Sequence, residues 1–73
     1  MSRIAVKSDI TGTVWKIEVE AGASVSEGDT LMVLESMKME IPVLSTDGGK
    51  VAEILVKEKE SVSEGQELVL LET

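Results

Sequence analysis

Ser24-Val25-Ser26-Glu27-Gly28 returns intact as Ser61-Val62-Ser63-Glu64-Gly65, 37 positions later. Extending that register outward aligns residues 3–35 with 40–72 without a gap, and 15 of the 33 pairs are identical. Ile4/Ile41, Val6/Val43, Gly12/Gly49, Ile17/Ile54, Val19/Val56 and Glu35/Glu72 are among them. Two such halves imply two copies of one supersecondary unit packed about an approximate two-fold axis, because one copy would struggle to bury its own apolar face. Only Ser36, Met37, Lys38 and Met39 stand between the copies. The repeat puts that seam at one end of a single domain spanning residues 1–73. It brings the two termini together at the opposite end.

Each half reads as strands. Val, Ile and Leu recur with period two, and no long 3.6-residue stripe appears. Thr13-Trp15-Ile17-Val19 supplies a mainly apolar face against Lys16, Glu18 and Glu20. Val14 and Val51 fall out of phase with that face, which requires a bulge or strong twist near the start of each strand. Leu31-Met32-Val33-Leu34 and Leu68-Val69-Leu70-Leu71 are apolar on both faces, as strands inside a sandwich are. Met39-Ile41-Val43 alternates again, with Met39 expected to face inward, and Ile17 and Ile54 are expected in the core. Ser26-Glu27-Gly28 and Ser63-Glu64-Gly65 suit turns closing on a glycine at positive φ. Pro42 fits an edge strand or a strand position facing away from the ladder. Lys57-Glu58-Lys59-Glu60 reads as a solvated connection. The expectation is four short strands per half: an all-β, flattened eight-stranded antiparallel barrel or sandwich with essentially no helix.

Composition narrows the chemistry. The chain has 73 residues, no cysteine and no histidine. That removes thiol chemistry, disulfides, Cys/His metal sites and histidine-based triads. A site built from carboxylates alone stays open, but no calcium-loop pattern occurs. A net charge of −7 argues against nucleic acid and anionic membrane as partners. It suits a small soluble monomer. No apolar run reaches membrane length, and the repeat starts by about residue 3, so the expected location is cytoplasmic.

Lys38 is then the residue to explain. The flanking strands leave Met37-Lys38 at the tip of a tight hairpin. Two-residue hairpin turns favour Asn-Gly, Asp-Gly or a leading glycine, because positive φ is required. Met-Lys is a poor turn by that measure, and a local rule broken in an otherwise consistent chain points to function. A lysine in a surface turn is by itself ordinary, and Met37 and Met39 read alone as packing residues. Their conjunction at the symmetry seam marks Lys38 as a candidate for covalent modification.

Glu35-Ser36-Met37-Lys38-Met39 resembles the attachment motif of biotinyl domains, a Met-Lys-Met core preceded by Ala or Ser. Gly12-Thr13-Val14, Gly22, Val25, Glu27-Gly28-Asp29 and Leu31 fit the wider pattern, so the resemblance covers nearly the whole chain. It implies a flattened barrel with Lys38 at an exposed β-turn, biotinylated by a biotin protein ligase that reads Glu35, Ser36, Met37 and Met39. The domain would be a carrier, not an enzyme. Its biotin would shuttle carboxylate between carboxylase and carboxyltransferase subunits acting in trans. Lipoyl domains share the fold and place a lysine at the same turn, with Asp before it and Ala after it; Met37 and Met39 depart from both. A lipoic acid carrier of a dehydrogenase or glycine-cleavage type system, and an unmodified structural module, are the alternatives. Some biotinyl domains carry a protruding segment in the first half, which the gapless repeat lacks.

Overall fold

The computed structural model describes residues 2–73. Eight strands follow one another: β1 Arg3–Lys7, β2 Gly12–Ile17, β3 Ser24–Val25, β4 Thr30–Ser36, β5 Met39–Leu44, β6 Gly49–Ile54, β7 Ser61–Val62 and β8 Glu67–Glu72. There is no helix among the described residues. The strands form two antiparallel sheets, ordered β1-β8-β6-β3 and β5-β4-β2-β7. The 37-residue offset carries β1 onto β5, β2 onto β6, β3 onto β7 and β4 onto β8, and so turns one sheet into the other. Each sheet takes two strands from each half. In both, one half supplies the inner pair and the other the edges, so neither half completes a sheet alone. The result is all-β, as the period-two pattern requires.

Bulges decide which side chains reach the interior. β2 shifts register against β4 between Val14 and Lys16, and β6 shifts against β8 between Val51 and Glu53. Val14 and Val51 are buried as a result. Trp15, expected on the apolar face, is instead 54% exposed. The extra residue of a bulge resets the in–out alternation, so Trp15 turns outward and the inward phase resumes only at Ile17. Ile17 and Ile54 correct a second expectation. They are partly buried and pack against the core from its margin.

The same device explains the strands that read as apolar on both faces. Thr30 pairs with Leu44 and Met32 with Val43, which leaves Leu31 as the extra residue of β4. Lys7 pairs with Glu67 and Val6 with Val69, which leaves Leu68 as its counterpart in β8. Consecutive side chains at 31–32 and 68–69 are therefore all fully buried. With Leu34, Leu71, Val14 and Val51 they make the centre of one core.

The turns repeat with different chemistry. Gly28 and Gly65 have φ of 90° and 84°. At each, the N–H of the fourth turn residue donates to the carbonyl of the first, Asp29 to Ser26 and Gln66 to Ser63, both at 3.0 Å. A side chain answers in return. Asp29 Oδ2 accepts from the Ser26 N–H at 2.9 Å, and Gln66 Oε1 from the Ser63 N–H at 3.0 Å. The 57–60 connection is exposed but also structured. Glu58 Oε2 accepts from the Ile17 N–H at 3.1 Å, and Lys59 takes φ 73° where its counterpart Gly22 has φ 94°.

The N- and C-terminal segments close the remaining seam. Ser2 N–H donates to the Thr73 carbonyl at 3.2 Å, and Thr73 N–H to the Ser2 carbonyl at 2.9 Å. Pro42 lies in β5, an edge strand, where its missing N–H leaves no ladder bond unmade.

Leu31→Ala or Leu68→Ala should lower unfolding free energy by about 2–5 kcal/mol. Ile17→Ala and Ile54→Ala should each cost clearly less in the same denaturant melts. The reverse ranking would show that the core lies on the isoleucine face.

Candidate functional site

The β4–β5 ladder pairs Glu35 with Glu40 and Ser36 with Met39, which leaves Met37-Lys38 as a two-residue loop. Met37 has φ 52° and Lys38 φ 66°. Positive φ at both central positions is the requirement of a type I′ turn, whose twist matches the flanking strands. Asn or Gly would adopt it readily. For residues with a Cβ, the left-handed region costs about 1–2 kcal/mol each. The hairpin accepts that cost at both positions.

Exposure shows what the tip presents. Met37 is 92% exposed and Met39 is 64% exposed. Met39 does not face the core, contrary to the alternation of 39, 41 and 43. It lies beyond the buried cluster, which β5 reaches only at the partly buried Val43. Two thioether side chains thus flank the lysine in solvent, where they offer soft, adaptable apolar surface. Glu35 and Glu40 sit directly opposite each other, both exposed. Like charges in that position weaken a hairpin. Ser36 behaves differently: its hydroxyl donates to the carbonyl of Thr11 at 3.1 Å.

Lys38 is exposed, and the ion pairs among the described residues are Arg3–Glu72 and Lys16–Glu18. Its ε-amine is therefore unpartnered and open to acylation. Lys59 is a useful contrast, because it also stands at positive φ in an exposed turn. Its neighbours are Glu58 and Glu60, not apolar side chains. Backbone conformation alone does not set Lys38 apart; the exposed methionines do. No group of three or more Asp, Glu, His or Cys is placed to hold a metal among the described residues. An open groove of about 620 Å³ follows the β1/β5 seam, lined by Val6, Ile10, Leu34, Ile41 and Val43 among others, and Lys38 does not line it.

Residues 4–71 match the family described as "Biotin-requiring enzyme", the biotin/lipoyl attachment family. The chain belongs to this family. A biotin/lipoyl attachment protein of Bacillus subtilis (strain 168) is 42% identical over 51 residues, 70% of each chain. A biotinylated protein TB7.3 homolog of Mycolicibacterium smegmatis is 52% identical over 40 residues, covering 55% of this chain and 56% of that protein. The Kluyveromyces lactis urea carboxylase superimposes with a TM-score of 0.91 at 32% identity, over 97% of this chain and 6% of that one. The chain thus spans a little over half of the second relative and a small fraction of the carboxylase. Biotin/lipoyl attachment domains are carriers of a covalently held group, not catalysts, and the two-sheet all-β fold is theirs.

Lys38 brings an exposed amine to the tip of the β4–β5 hairpin. Thr11, whose carbonyl accepts from Ser36, reads in the sequence only as part of a Thr11-Gly12 turn, with nothing to mark that contact.

Replacing Met37-Lys38 with Asn-Gly should raise the thermal midpoint by about 4 °C or more, by removing the left-handed cost at both positions. A midpoint lowered by the exchange would mean that the two side chains stabilise the turn.

Proposed function

We propose that residues 1–73 form a single biotin carrier domain in which biotin is joined by an amide to Nζ of Lys38. The observation that carries this reading is the lysine at the apex of an exposed type I′ turn between two solvent-exposed methionines. In the joining step a biotin protein ligase presents an activated biotinyl carboxyl. The amine nitrogen bonds to its carbon, the activating group leaves, and the nitrogen gives up a proton. Met37 and Met39 supply the apolar surface that the ligase reads, and Glu35 and Ser36 flank it. Their departure from Asp and Ala at the lipoyl positions favours biotin over lipoic acid.

Once bound, biotin supplies a ring that takes up and gives up carboxylate. The chain's own residues supply reach and placement. The four-carbon lysine stem and the biotin tail make an arm of about 10 Å or more. The barrel beneath does not need to move, since each half closes the other's sheets. Tethering raises the local concentration of the ring at each site it visits. Those sites belong to carboxylase and carboxyltransferase partners acting in trans on a monomeric, cytoplasmic carrier.

Intact mass of the protein isolated from its own host should show one biotinyl adduct. Lys38→Arg, which keeps the charge, should abolish it. A lipoyl adduct, no adduct, or biotin persisting on the arginine variant would each overturn the assignment. In a competition of the two ligases, Met37→Asp with Met39→Ala should slow biotinylation and favour lipoylation. An unchanged biotinylation rate would reduce both methionines to bystanders.

A further inference from the structure

The internal repeat allows what the barrel needs everywhere to be separated from what only the Lys38 end has. Gly12 and Gly49 are equivalent under the repeat, and a Cβ at either would lie 2.6 Å from a carbonyl oxygen, that of Glu35 or Glu72. Close approach of β2 to β4 and of β6 to β8 is therefore scaffold, common to both ends. The contacts of Thr11 are not. Its carbonyl accepts from Ser36 Oγ at 3.1 Å, and its Oγ1 accepts from the Glu64 N–H at 3.2 Å. The equivalent of Thr11 is Gly48, which has no side-chain oxygen to accept with. The equivalent of Ser36 is Thr73, whose hydroxyl donates to the Ser2 carbonyl across the terminal strand pair at 3.4 Å and not to Gly48. Two bonds that the second half lacks thus converge on one residue at the base of the modified hairpin.

We propose that Thr11 and Ser36 are positioning residues for the attachment lysine: Thr11, pinned to the 63–66 turn, holds the Met37-Lys38 apex in one orientation through the Ser36 hydroxyl. The inference rests on the reading of Lys38 as the attachment site. It follows from the tension in the hairpin. The apex is strained at both central residues, and Glu35 and Glu40 repel across the ladder immediately below it. A hairpin weakened in both ways frays from its tip unless something outside it holds the last pair. Ser36 belongs to that last pair, opposite Met39, and its partner Thr11 belongs to another strand connection. The tether leaves Met37, Lys38 and Met39 uncovered, so it orders the backbone of the site without hiding its side chains. A ligase then meets an ordered Met-Lys-Met surface and does not have to order it on binding.

The test compares Ser36→Ala, Ser36→Thr and the parent in the unmodified 73-residue protein. The backbone order parameter of Lys38, read from nitrogen-15 relaxation, should fall from about 0.8 to below about 0.6 in Ser36→Ala and recover in Ser36→Thr. With a biotin protein ligase, the KM of Ser36→Ala should rise about threefold with kcat unchanged, the size expected for one net hydrogen bond. Ser36→Thr should restore it. Thr11→Val, which keeps the carbonyl but loses the Oγ1 acceptor, should shift both readouts the same way, and Thr11→Ser should not. An unchanged order parameter or an unchanged KM in Ser36→Ala overturns the proposal. A parent protein that takes no biotin fails the functional reading instead, and the relaxation result still decides whether the tether orders the tip.

Discussion

β1 finds its ladder partner in β8, and the inner pair β2–β4 is flanked by β5 and β7 from the other half. This exchange of strands is the constraint on which the rest of the molecule depends. Each half is about four short strands, too little to enclose an apolar centre, and each sheet is incomplete until the other half arrives. The core is correspondingly symmetric, built from Val14 and Val51, Leu31 and Leu68, Leu34 and Leu71. Bulges at equivalent places feed consecutive side chains into it, which lets so short a chain fill its interior.

A barrel closed in this way tolerates departures at its ends. The hairpin joining the halves keeps Met37 and Met39 in solvent and gives Met37 and Lys38 a left-handed backbone that suits neither. These features oppose stability, and in the proposed function they serve presentation. The turn places Lys38 at the tip of a hairpin, the methionines would give a partner something apolar to grip, and the scaffold beneath would stay fixed. In the proposed function chemistry is left to the group that Lys38 would carry, the division of labour of a cofactor carrier.

Strand count, barrel class, edge position of Pro42 and the exposed Met37-Lys38 turn were legible in the sequence, because each follows from period two, from the repeat or from turn chemistry. The phase within strands was only half legible. Val14 and Val51 betray the bulge, but a bulge changes which neighbours face inward: Trp15 turns out to solvent, and Ile17 faces the core yet reaches only its margin. Met39 kept its alternation and still emerged into solvent, since periodicity reports a face and not whether anything covers it. The contacts of Thr11 are not legible for a related reason. Its carbonyl and hydroxyl meet residues 25 and 53 positions away, which no local pattern encodes.

In the proposed function the barrel presents Lys38 and otherwise takes no part. Backbone amide chemical shifts of the unmodified and biotinylated protein test this. Acylation removes one positive charge, taking the net charge from −7 to −8, and does so at the tip. Shift changes should be confined to residues 36–40 and the adjoining Thr11 loop. Changes spreading to Trp15 and across the second half would contradict this, because they would mean that the attached group packs onto the barrel.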